Sequence, residues 1–139
     1  MSRRVAAVPA AWLALLATAA LAAGCLVLAT VDPATSGRYP ACPFYTVTGR
    51  WCPGCGTARG LHQLLNGRVD AALGYNPLLL VALPFLAYTF LAWALPALRG
   101  PRLPAVPQPA RAVWTVLALV GVFWVARNLP WEPFAALAP

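Results

Sequence analysis

Three long apolar stretches leave this chain few places to fold except a lipid bilayer. Residues 5–31, 77–98 and 112–126 carry no charged side chain. A helix needs about 20 predominantly apolar residues to cross the hydrocarbon core. Composition points the same way. Hydrophobic residues make up 61% of the 139 positions and charged ones 9%, where a soluble domain runs to about 45–50% and about 25%. The expectation is an all-α integral membrane protein, one domain over residues 1–139. It would have three transmembrane helices, at about 9–31, 77–98 and 112–129.

The formal charge of +7 does not point to nucleic acid. The arginines flank the apolar stretches and form no basic stripe. They read as topology signals and contacts to anionic lipid. The partner this composition requires is the bilayer; another membrane protein or a second copy of the chain would be a further one.

The first stretch has two rival readings. Arg3 and Arg4 precede it, as in a signal peptide, and Leu21 to Cys25 has the shape of a lipidation site. The run stays apolar after Cys25, through Leu26 to Ala29, which favours a retained span. Cys25 then reads as a small buried hydrophobe. The third stretch is short. Between Arg111 and Arg127 a helix reaches about 22 Å, against a core of roughly 30 Å. Arg127 is therefore expected to snorkel to the interface or to pair with an acid.

With three spans, Arg3, Arg4, Arg99, Arg102 and Arg111 share one side. Arg38, Arg50, Arg59, Arg68 and Arg127 share the other. The first set hugs the span ends, where positive charge favours the cytoplasm. That puts the N-terminus inside and residues 32–76 outside.

Residues 32–76 hold the chemistry. Pro and Gly punctuate 32–56 too often for regular structure, and Thr57 to Asn66 reads as a short amphipathic helix at the interface. Leu61, Leu64 and Leu65 would form its apolar face; Arg59, His62, Gln63 and Asn66 would form the polar one. Asn66-Gly67 stops it. Asn76-Pro77 starts the next span, with Asn76 as its N-cap.

The cysteines are spaced Cys42-x9-Cys52-x2-Cys55, with His62 following. A metal site is one reading: these four residues supply the donor types and number for tetrahedral zinc. A structural disulfide from Cys42 to Cys52 or Cys55 is another. Thiol–disulfide exchange by Cys52 and Cys55 is a third, since the helix starting at Thr57 would stabilise a thiolate. A Cys–His nucleophile pair using His62 lacks an orienting acid. Arg59 beside the helix start suits an anion or lipid headgroup.

Cys42-Pro43-Phe44, Thr48-Gly49, Cys52-Pro53-Gly54-Cys55-Gly56, Arg59, Leu65, Gly67, Ala72 and Asn76-Pro77 resemble the DUF2752 family of small bacterial membrane proteins. The resemblance covers about residues 40–80. Arg127-Asn128 before Pro130 is similar to that family's ending. One departure is that the family usually has Thr directly before the Arg, where this chain has Ala58. The resemblance implies a multi-pass protein of a bacterial plasma membrane and singles out these positions; it implies no activity. The leading expectation is non-enzymatic. Cys42, Cys52 and Cys55, with His62, fix a turn by zinc or a disulfide. The turn presents Arg59 and His62 to a lipid headgroup or protein partner, and Asn76 and Arg127 contribute to the binding face. The alternative is a membrane thiol oxidoreductase using Cys52 and Cys55.

Overall fold

The computed structural model describes residues 3–106, 109–132 and 134–137. Among them there is no strand. The helices are α1 (Arg3–Thr30), α2 (Pro43–Thr48), α3 (Thr57–Leu65), α4 (Val69–Tyr75), α5 (Pro77–Ala97) and α6 (Ala110–Ala126), followed by a 3-10 turn at Phe134–Leu137. The all-helical expectation holds.

Two helices are long and apolar enough to cross a membrane, over Ala10–Thr30 and Pro77–Ala97. Only 6% and 11% of those stretches is buried by protein, whereas the core helix of a soluble fold would be mostly covered. The prolines inside α5, Pro84 and Pro96, do not end it; membrane helices tolerate them because neighbouring groups re-satisfy the freed carbonyls. α6 has 17 residues, or about 25 Å. It is shorter than the other two and stops before the expected end at 129. It buries none of its residues.

α5 returns alongside α1, and the short helices pack across one end of the pair, with α3 against α1 and α4. The buried side chains along α1 and α5 are mainly small, Ala14 and Ala94, as helix contacts in lipid favour. Gly60 sits where α3 crosses its neighbours. A Cβ there would meet the Ala72 carbonyl and Leu79 at 3.3 Å, so glycine permits a close approach that any larger residue would open by a few tenths of an ångström.

Two local expectations need correction. The 32–56 segment contains a helix, α2. Pro43 at its first turn is pre-set for helix, and Gly49 ends it in the left-handed region at φ 67°. The polar side of α3 does not face water as expected: His62 Nδ1 lies 2.6 Å from the Leu28 carbonyl, and Asn66 Nδ2 donates to the Ala29 carbonyl at 3.1 Å. Those carbonyls belong to the last turn of α1, which has no partners of its own, so α3 supplies them. The segment after α5 folds back on that helix: the Tyr88 hydroxyl donates to the Pro104 carbonyl. A hydroxyl within an apolar span needs such an acceptor.

Candidate metal centre

The turn from Cys52 to Gly56 closes on itself. Cys55 N–H donates to the Cys52 carbonyl at 3.1 Å, and Thr57 N–H to the Gly54 carbonyl at 3.1 Å. Gly56 takes φ 82°, a left-handed value that lets the chain pass from the turn into α3. Cys52 N–H points the other way, at Cys55 Sγ, 3.2 Å off. Cys42, just ahead of α2, is delivered to the same spot. Cys52 Sγ lies 3.0 Å from Cys55 Sγ and 3.6 Å from Cys42 Sγ. All three sulfurs lie within 4.8 Å of one another.

These thiols are free. Tetrahedral zinc with bonds of about 2.3 Å separates its sulfurs by about 3.8 Å. The two spacings of 3.0 and 3.6 Å fall short of that value by less than an ångström, so small side-chain shifts would complete a three-thiolate site.

Arg127 and Asn76 hold the back of the turn. Arg127 Nη1 donates to the carbonyls of Cys52, Pro53 and Cys55 at 3.1, 3.2 and 3.2 Å. Asn76 Nδ2 donates to Pro53 and Cys55 at 3.0 and 3.2 Å and to Thr57 Oγ1 at 3.1 Å. Each residue is 1% exposed. These donors take the carbonyls of Cys52, Pro53 and Cys55, while Cys52 N–H is directed at the Cys55 sulfur. Asn128 adds a third anchor. Its Oδ1 accepts from Trp51 N–H at 2.8 Å, and its Nδ2 donates to the Trp51 carbonyl at 2.9 Å. The end of α6 and the start of α5 are thus tied to the cysteine turn.

The expected site residues separate into two groups. Cys42, Cys52 and Cys55 converge. His62 does not join them; it completes the end of α1, as described above. Arg59 lies half-buried in the wall of a cleft of about 520 Å³ that all three cysteines also line. Arg127 neither snorkels nor pairs with an acid: the carbonyls beside it take its bonds, while its Nε and Nη2 have no partner. Asn76 occupies the N-cap position of α5 but makes no capping bond there. Asn128 and Asn66 are contacts that sequence reasoning did not assign. The signal for Asn128 was its place in the Arg127-Asn128 pair at the end of an apolar stretch.

The thiols are not equivalent. Tyr45 N–H, directed at Cys42 without a full capping bond, and then the Cys55 thiol lower the Cys42 pKa from its ordinary 9.0. Burial, and then the Cys52 thiol, push Cys55 up to about 12. A metal must displace the Cys55 proton, so its affinity falls as pH falls. Thiol exchange is disfavoured by the same facts. No two sulfurs lie at disulfide distance, and a buried, protonated Cys55 is a poor attacking group.

Residues 42–90 match the family model of DUF2752, described as a protein of unknown function. The match supports assignment to that family and covers about a third of the chain. It contains all three converging cysteines, Arg59 and Asn76, whereas Arg127 lies beyond it. No curated protein and no solved structure matches the chain.

Proposed function

We propose that this DUF2752 protein is a non-enzymatic multi-pass membrane protein whose cysteine turn is fixed by a zinc ion. The fixed turn presents Arg59 to an anionic group on a lipid headgroup or a protein partner. The observation that carries this reading is the convergence of Cys42, Cys52 and Cys55 in front of a buried Arg127. Buried charges are normally paired or coordinated, yet Arg127 bonds only to carbonyls. Cys52 and Cys55 are the ionisable groups close enough to act on it. A divalent ion with three thiolates carries one net negative charge, which would balance that guanidinium.

α6 acts as a third, shorter span, since its Arg127 end is fixed to the turn and can sit below the headgroups without exposing charge to lipid. α3 lies across the ends of the spans as an interfacial helix. On sidedness two arguments pull apart. Thiolate–metal sites keep best on a reducing side, whereas the arginines at the span ends put the turn outside. A reporter fused after Arg102 decides: a cytoplasmic signal there places the turn outside.

The reading is tested on protein purified in mild detergent with thiols blocked at lysis, by metal content and intact mass. One zinc per chain and no disulfide are expected. A chain without metal that carries two fewer blocking groups and has lost two thiol hydrogens would replace zinc by a disulfide and reopen the redox alternative. Arg59→Ala should keep zinc and fold while weakening binding to anionic vesicles; loss of the protein itself would make Arg59 structural.

A further inference from the structure

A divalent ion held by Cys42, Cys52 and Cys55 has three protein ligands, and this chain has no ready fourth. Its other candidate donors are Cys25, His62, Asp32, Asp70 and Glu132. None joins the group among the described residues. Cys25 lies within α1. His62 Nδ1 is engaged by Leu28. Asp32 Oδ1 accepts from Ala34 N–H at 2.8 Å. Asp70 and Glu132 are exposed, on α4 and beyond α6. Structural zinc sites close their shell with four protein ligands; sites with three keep a position for water or an incoming ligand.

The missing position has somewhere to open. The cleft of about 520 Å³ is walled by the three cysteines together with Tyr39, Thr57 and Arg59. That is a usual size for a small-molecule site, which runs to about 300–1,000 Å³. Arg59 is the one charged residue in its described wall. The Tyr39 hydroxyl is buried without a partner. Charge then narrows the ligand. The three-thiolate centre carries one negative charge, and Arg127 behind the turn balances it. Arg59 is a second cation with no such counterpart, and it meets its match when the fourth ligand is itself an anion. A centre already built of thiolates favours soft donors.

We propose that the metal centre takes an exogenous thiolate, from a low-molecular-weight thiol, at a fourth position open to this cleft, with Arg59 as the balancing cation. The inference rests on the metal reading above. The step is a ligand exchange. A metal–sulfur bond forms, the bound water leaves, and the thiol proton passes to solvent. Nothing is oxidised or reduced.

Cobalt(II) reports on this directly. The full chain, in detergent and free of air, is stripped of metal, reloaded with cobalt and titrated with 2-mercaptoethanol; sodium acetate serves as a hard-anion control. The expected result is one cobalt per chain with thiolate-to-cobalt charge transfer. That intensity should rise by about a third as three thiolates become four, saturably and independently of protein concentration. Acetate should compete weakly. Arg59→Ala should weaken the thiol response about tenfold, and Arg59→Lys should restore most of it. A charge-transfer spectrum that ignores thiol would overturn the open position. So would four-thiolate intensity before any addition, which would mean a second copy supplies the ligand, and so would thiol merely stripping the cobalt. Equal thiol affinity in Arg59→Ala would remove Arg59 from the site. Failure to take up cobalt with any thiolate signature would sink the metal reading itself.

Discussion

The long apolar helices and the cysteine turn are built by opposite rules. Along α1 and α6 large apolar side chains face outward: Leu16 is 64% exposed and Trp114 71%. At the turn the two largest fully buried side chains are polar, Arg127 and Asn76. In lipid, an outward leucine costs nothing and helix packing gains little from the hydrophobic effect. Specific stability therefore concentrates where polar groups are removed from solvent and paired.

Substitutions sharpen or break that contrast. The largest effect is expected from Arg127→Ala, which strips one donor from three carbonyls. It should lower unfolding stability in detergent by about 3–5 kcal/mol, read from thermal melts; a loss near zero would dissolve the contrast. Removing metal comes next. A chelator should destabilise the wild-type chain by about 3–4 kcal/mol if the ion is present at 100 to 1,000 times its Kd, and should leave a Cys52→Ser variant unmoved. The stripped protein should lose further stability as pH rises above 9. Cys55 ionises near its ordinary 9.0 when unfolded but near about 12 when folded, so protons are released by unfolding in that window. The lowered Cys42 value has the opposite sign: its contribution is present above pH 9 and is lost as pH falls through its folded value.

Asn76→Ala should cost less, about 1–3 kcal/mol, because Arg127 still serves the Pro53 and Cys55 carbonyls. His62→Ala should cost about 1 kcal/mol through the freed Leu28 carbonyl and leave zinc content unchanged; zinc loss would return His62 to the ligand shell. Leu119→Ala, on the outward face of α6, should change stability by less than about 0.5 kcal/mol. A larger loss would mean that another protein surface covers α6.

This contrast also explains what could be read without coordinates. The two long apolar helices are legible because hydropathy over about 20 residues is a local property; α1 begins earlier than the expected residue 9, and α6 ends before 129 at 17 residues. α3 was legible for the same reason, from its period and the stop at Asn66-Gly67. Its orientation was not, because the open carbonyls of α1 that draw in His62 and Asn66 lie far off in sequence. α2 was hidden by the same Pro and Gly that bound it. The cysteines were visible as a spacing, but spacing alone could not tell that His62 turns elsewhere. The roles of Arg127 and Asn128 depend on contacts some 75 residues away along the chain. A charge at the end of an apolar stretch looks the same in sequence whether it snorkels to water or clamps a loop.

The central claim is that three cysteines, backed by Arg127 and Asn76, hold a metal ion. X-ray absorption at the zinc edge on protein purified with thiols protected tests it most directly. The account predicts three sulfur scatterers at about 2.3 Å and one lighter atom, unchanged in His62→Ala. A nitrogen-rich shell lost with His62, or zinc-free protein carrying a disulfide, would contradict it.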